Sequence, residues 1–225
     1  QALLTATTAR ARIRYLLERG RVFNSAGKAA AARPLFLEAW ERGQQAGEDF
    51  YTIDAAHMLG IIEPPAEQRR WNRLALALTE QTADPRAKKW LGSLSNNLGW
   101  SYFEQGEYTT ALDYFYQALA AREQQGDASQ MRIARWCIAK TRRVLGQLEE
   151  ALASQRTLLR ENEQANEPDG YVYEELGECH LALGQAEQAT PYFAQAYTLL
   201  AQDPWLVANE GEKLARLKTL GQVGA

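Results

Sequence analysis

Two histidines and one glycine-containing stretch are the parts of this sequence that could carry catalysis. His57 and His180 could move protons, but neither has a Ser, Cys or acidic partner at a recognisable spacing. GRVFNSAGKA, residues 20–29, fails as a phosphate-binding loop, because Val22 replaces the first glycine and Ala29 replaces the Ser or Thr. The motifs H-E-x-x-H, C-x-x-C and G-x-S-x-G are absent from the sequence. We predict that the protein is not an enzyme and uses no metal and no cofactor.

Composition narrows the class further. The 225 residues include 25 Lys and Arg against 28 Asp and Glu, a net charge of −3 that argues against direct nucleic-acid binding. No apolar run reaches the ~18 residues of a membrane span, so no membrane partner is expected. Cys137 and Cys179 are too few for a disulfide framework and are interpreted as buried thiols, which favours a cytoplasmic location. Because residue 1 is Gln, we expect a piece of a longer chain.

The elements that would position any functional residue are helices. Ala, Leu, Glu, Gln and Arg dominate, and apolar residues return every three or four positions, as at Leu112, Phe115, Tyr116 and Leu119. Short turns containing Gly, Pro or Asp interrupt the pattern throughout the chain. The sequence therefore predicts an all-α protein.

A glycine followed five residues later by an alanine recurs along the chain. GKAAAA, GEYTTA, GQLEEA and GQAEQA place these alanines at Ala32, Ala111, Ala151 and Ala189, at separations of 79, 40 and 38 residues. The first separation is two periods, and PAEQRRWNRLALAL (65–78) supplies the hidden repeat, with Gln68 at the alanine position. We predict one domain over 1–225. Its repeats are 13–48, 49–85, 86–127, 128–167 and 168–203, with a capping helix over 204–220.

Small residues lie twelve positions before each of these sites. They are Gly20, Ala56, Gly99, Ala139 and Gly177. Each falls on the first helix of a pair, so that the second helix can approach closely. Phe36, Phe115 and Phe193 follow the alanines by four positions and would fill the space beside the contact.

These residues resemble the tetratricopeptide repeat (TPR), whose pattern is W-x2-L-G-x2-Y followed by A-x3-F. Residues 98–115 supply Leu98-Gly99-x2-Tyr102 and then Ala111-x3-Phe115. The resemblance covers about residues 13–203 and implies a right-handed superhelical solenoid of about five helix pairs plus a capping helix. The second repeat departs from the pattern at Gln68 and Asn72, and the fourth at Arg142 and Gln155. For the fourth repeat, either the pair of helices is locally solvated or the register differs.

The resemblance also implies that the first helices line a concave groove. Ile133 and Tyr171 fall at such facing positions, and we predict a binding site formed by Arg21, Asn24, His57, Asn96, Trp100, Phe103, Trp136, Lys140, Arg143, Glu174 and Glu178. Its cations would make parts of the groove basic and could bind a peptide carboxylate, although the full set of the known carboxylate clamp is not matched. Two alternatives stay open: the tryptophans pack between helices, and the charges form a solvated face.

The function predicted from these residues is protein–protein interaction without catalysis. A peptide or protein segment would bind in the concave groove. One alternative is a ligand- or peptide-sensing domain of a larger signalling or transcription-regulatory protein. Another is self-association into a homo-oligomer through exposed aromatic residues.

Overall fold

The computed structural model describes the backbone of residues 2–224 and the side chains of residues 8–224. No β-strand occurs in this part of the chain, which confirms the predicted all-α class. Its helices are α1 Ala2–Ser25, α2 Ala29–Ala46, α3 Asp49–Ile62, α4 Pro65–Gln81, α5 Pro85–Lys88, α6 Leu91–Phe103, α7 Tyr108–Gln125, α8 Ala128–Val144, α9 Leu148–Ala165, α10 Gly170–Ala182, α11 Ala186–Leu200, α12 Pro204–Asn209 and α13 Gly211–Leu220.

The chain divides into two compact units, an N-terminal unit of residues Gln1–Asp127 and a C-terminal unit of residues Ala128–Ala225. The N-terminal unit contains the antiparallel pairs α1–α2, α3–α4 and α6–α7, and the C-terminal unit contains α8–α9 and α10–α11 followed by α12 and α13. The division falls at the predicted boundary between the third and fourth repeats. One domain over 1–225 stays a prediction.

Close helix approach at the small residues is present as predicted. A Cβ atom placed on Gly99 would lie 2.5 Å from the ring of Phe115, and one on Gly177 would lie 2.8 Å from the ring of Phe193. Both rings are buried, and so are Ala111 and Ala189, the recurring alanines of these two repeats. In each of these pairs an aromatic ring therefore packs against the opposite helix at a point where that helix has no side chain.

Except before α4, a glycine that precedes the second helix of a pair ends the first helix. Gly106 has a φ of 78°, and the N–H of Glu107 donates to the carbonyl of Tyr102 at 3.0 Å. Gly146 has a φ of 82°, and the N–H of Gln147 donates to the carbonyl of Arg142 at 2.9 Å. This left-handed end satisfies carbonyls that the helix leaves open, and glycine adopts it without steric cost.

The second and fourth repeats form helix pairs although polar residues stand at the places of the repeat's aromatic residues. Asn72 and Gln155, at the places of the repeat phenylalanine, are 2% and 0% exposed. Both side chains therefore lie in the interior, and Gln155 is not solvated. The register of these two repeats stays a prediction. Arg142, at the tyrosine place of the fourth repeat, is half-buried.

The predicted capping helix over 204–220 is two helices in the structure. Asp203 caps α12 by accepting a hydrogen bond from the N–H of Trp205 at 2.8 Å, as the Asp-Pro pair predicts. The helix is interrupted at Glu210, whose φ of −122° and ψ of 36° are not helical. Gly211 follows directly, and its low helix propensity favours a break at this place. Leu206, Leu214 and Leu217 are buried and close the end of the last pair.

Candidate functional site

One inter-helix contact recurs along the first helices. Within each unit, the residue that follows a small position contacts the residue that lies two positions before the next small position. Arg21 Nη2 donates to the two carboxylate oxygens of Asp54 at 2.5 and 2.6 Å. Asn97 Nδ2 lies 3.3 Å from His57 Nδ1, and Lys140 Nζ donates to Glu175 Oε1 at 2.6 Å. The spacing of the repeat therefore places three of the predicted site residues at one kind of contact.

His57 is a neutral member of this series. Its ring centroid is 4.9 Å from that of Trp90, and the side chain is half-buried. Burial, helped by the charge of Arg21, lowers the pKa of His57 to about 4. The uncharged ring can accept the Asn97 hydrogen bond at Nδ1, which leaves the proton on Nε2. This environment suits packing and hydrogen bonding.

The other predicted site residues of the N-terminal unit, Asn24, Asn96, Trp100 and Phe103, are half-buried. The Trp100 ring lies 5.2 Å from that of Phe103 and 5.3 Å from that of Phe115, both edge to face. Phe115 is fully buried. Trp100 thus packs on the interior of its own helix pair, which was one of the two alternatives for this residue.

The predicted cations of the C-terminal unit already have a counter-ion. Arg143 Nε donates to Glu175 Oε2 at 2.7 Å, on the carboxylate that also accepts from Lys140. Glu175 is 1% exposed. Burial alone would raise its pKa, but Arg143 and Lys140 outweigh burial and hold the pKa of Glu175 below its usual range. The charges predicted to receive a peptide carboxylate are therefore matched within the chain.

Glu174 and Glu178 are paired in the same way with α13. Lys213 Nζ lies 2.8 Å from Glu174 Oε2, and Arg216 donates to Glu178. Glu174 is buried, whereas the prediction placed it at a groove surface. The sequence analysis missed Lys213 and Arg216 because α13 was taken as a cap. Their three-residue spacing, matching the four-residue spacing of the two glutamates, could have identified α13 as a further facing helix.

A cleft opens beside this set of ion pairs in the C-terminal unit. Its volume is about 540 Å³, and Trp136 and Tyr171 form one wall together with Ile133. Trp136 Nε1 donates to the backbone carbonyl of Tyr171 at 3.1 Å, and the two rings lie edge to face at 5.9 Å. Leu158, Val172, Leu200 and Leu206 are buried residues that also line it. The cleft thus combines buried apolar residues and an aromatic wall with the polar and charged residues that complete its lining.

Two lysines hold the aromatic wall in place. Lys140 Nζ lies 5.2 Å from the centroid of the Trp136 ring, and Lys213 Nζ lies 4.5 Å from that of Tyr171. Both lysines are fixed by glutamates, Glu175 and Glu174. The rings are therefore oriented before anything binds.

Of the predicted site residues, Trp136 lines the cleft and Lys140 lies against its ring. Arg143, Glu174 and Glu178 lie in the adjoining ion pairs, while Trp100 and Phe103 form a separate cluster on α6. Asp169 and Asp203, which line the cleft, were missed because an Asp before a helix is usually read as a cap alone.

Three other features of the described residues bear on function: groups of metal ligands, free thiols and the apolar character of the helices. Residues 8–224 contain no group of three or more His, Cys, Asp or Glu side chains that could hold a metal ion. Cys137 and Cys179 are buried free thiols, as interpreted from the sequence, and burial raises the pKa of Cys179 to about 12. None of the described helices has the length and apolar character needed to cross a membrane.

Comparison with known proteins agrees with this architecture. The sequence model described as tetratricopeptide repeat matches residues 93–124. BtubC (BKLC) from P. vanneervenii superposes with a TM-score of 0.70 at 12% identity, covering 90% of this chain and 92% of that one. The chain has a TPR fold.

Two further TPR structures agree. TPR-like repeats assigned to a kinesin light chain of Podosopora anserina superpose with a TM-score of 0.68 at 16% identity, covering 85% of this chain and 95% of that one. The Rap conjugation gene regulator of plasmid pLS20, solved in complex with the Phr* peptide, gives a TM-score of 0.64 at 14% identity, covering 96% of this chain and 73% of that one. No curated protein sequence matches the chain significantly. At these identities the structures show the TPR fold alone.

Proposed function

We propose that this TPR chain is a non-catalytic module that binds a peptide segment of a partner protein in the cleft of its C-terminal unit. The observation that carries the proposal is the open cleft with Trp136 and Tyr171 in its aromatic wall. A TPR fold is typically a scaffold without catalysis. The wider predictions of a cytoplasmic location, no direct nucleic-acid or membrane partner, and self-association belong to this proposal too.

The form of the cleft suits a peptide side chain. Large aromatic residues bury much area for little loss of conformational entropy, and they dominate many binding interfaces. Trp136 is already fixed by its hydrogen bond to the carbonyl of Tyr171. A surface ordered in advance avoids part of the entropic cost of binding.

A second candidate is a peptide-sensing domain of a larger regulatory protein. The likeness to the Rap regulator solved with the Phr* peptide favours it. In that case a bound peptide would also rearrange the ion pairs of Glu174 and Glu175, which adjoin the cleft. Hydrogen exchange of α10 and α13 with and without peptide separates the two: a simple binding module changes little beyond the cleft.

Selection of binders from a random 12-residue peptide library displayed on phage tests the proposal on the intact chain. We expect enriched peptides whose binding is lost in Trp136→Ala. Tyr15→Ala is the control, because Tyr15 is an exposed aromatic of the N-terminal unit. Peptides that bind both variants as they bind the wild type would contradict the proposal.

A further inference from the structure

The cleft of the C-terminal unit has an unbalanced charge. Four charged residues line it, Arg132, Glu167, Asp169 and Asp203. Arg132 pairs with Glu167. The two aspartates have no ion pair among the described residues, so the lining carries a net negative charge.

Asp169 and Asp203 use only part of their hydrogen-bonding capacity. Oδ1 of Asp169 accepts from the N–H of Tyr171, and Oδ1 of Asp203 accepts from the N–H of Trp205, both at 2.8 Å. The Oδ2 atoms accept no hydrogen bond within the described part of the chain. Each carboxylate therefore keeps one oxygen for a further donor.

The carboxylates near the cleft also act on the tyrosine of its aromatic wall. Burial raises the pKa of Tyr171, and Glu174, Asp203, Asp169 and Glu210 raise it further. The nearby cations are already matched, Lys140 by Glu175 and Lys213 by Glu174.

The two units also differ in net charge. The N-terminal unit has 15 Lys and Arg and 15 Asp and Glu, whereas the C-terminal unit has 10 and 13. The net charge of −3 thus belongs to the unit that contains the cleft. Long-range attraction would favour a cationic ligand there.

We infer that the occupant of the cleft is a basic peptide segment with one apolar anchor side chain. The anchor lies between the aromatic wall and Leu200 and Leu206, and flanking Lys or Arg side chains donate to Asp169 and Asp203. A volume of about 540 Å³ lies within the ~300–1,000 Å³ of ligand pockets. The inference rests on the proposed function and adds the chemical class of the peptide.

The phage library of random 12-residue peptides is again the probe. Among peptides that lose binding in Trp136→Ala, we expect Lys and Arg to be enriched beside an aromatic or long aliphatic residue. Neutral or acidic peptides in that set would overturn the basic class while leaving the proposed function standing. The absence of any such set would overturn both.

Variants of the two aspartates test the charge directly. Asn caps a helix about as well as Asp, so Asp169→Asn with Asp203→Asn removes charge while keeping both caps. Fluorescence anisotropy of one enriched peptide should show binding weakened roughly threefold to tenfold. Asp84→Asn is the matched control, since Asp84 also caps a helix but lies in the N-terminal unit.

A peptide with Glu in place of its Lys and Arg gives a second measurement on the unchanged protein. We expect it to bind more weakly than the parent, with the difference reduced at high salt because exposed charges are screened. Equal binding of the two peptides, or unchanged affinity in the double Asn variant, would overturn the inference.

Discussion

The third and fourth repeats use equivalent positions for opposite chemistry. In the third repeat, in the N-terminal unit, Gly99 is followed by Trp100, which packs edge to face on Phe115. In the fourth, in the C-terminal unit, Lys140 and Gln155 stand at the places of Trp100 and Phe115. Lys140 reaches Glu175 on the next first helix instead of packing inside its own pair. The repeat spacing determines the position of a side chain. The residue type at that position determines whether the side chain packs inside its own helix pair or contacts the neighbouring pair.

The two tryptophans give the largest test of this comparison. Trp100→Ala should lower the free energy of unfolding by about 3 kcal/mol, because it removes a ring packed on a buried phenylalanine. Trp136→Ala should cost less, about 1–2 kcal/mol, because its ring packs only in part on the core of the C-terminal unit and also lines an open cleft. Urea denaturation followed by circular dichroism measures both.

A reversed order of the two effects would contradict the comparison. It would mean that Trp136 is the structural residue and that the cleft is a poor choice of site. Trp100→Phe is the control, since it keeps an aromatic ring beside Phe115 and should recover most of the loss.

The sequence alone predicts how the helices pair, but it does not predict which charged residues form ion pairs. Gly99, Ala111 and Phe115 predicted their contact because close packing demands small residues opposite large ones. The ion pairs of Glu174 and Glu178 were missed because their partners, Lys213 and Arg216, lie outside the recognised repeats. Long charged side chains can reach several neighbours, so spacing alone does not select one.

The neutral and charged inter-helix contacts should differ in their response to pH. The pKa of His57 is about 4 in the folded chain, against an ordinary value of 6.5 that applies to the unfolded chain. Protonation of His57 therefore favours the unfolded chain. The stability that neutral His57 provides is full above pH 6.5 and is lost as the pH falls towards 4. We expect roughly 2 kcal/mol less stability at pH 5 than at pH 8 from this group.

Urea denaturation of the wild type and of His57→Gln at these two pH values measures the effect. The variant should lose most of this pH dependence. The pKa of Glu175 is lowered in the folded chain, so ionised Glu175 contributes stability at a pH above its ordinary pKa of 4.5. That stability is lost only as the pH falls below 4.5. Equal pH dependence in wild type and variant would show that His57 is not the titrating group.

The smallest expected effect concerns the polar residue inside the fourth repeat. Gln155 is fully buried, and neither its Oε1 nor its Nε2 forms a hydrogen bond within the described residues. Gln155→Met keeps nearly the same shape and removes the unsatisfied groups, so it should raise the free energy of unfolding by about 1 kcal/mol. Gln164→Met, at an exposed position of the same helix, is the matched control and should change stability by less than ~0.5 kcal/mol. Destabilisation by Gln155→Met would mean that the buried amide has a partner, such as a bound water, and that the fourth repeat is polar for a structural reason.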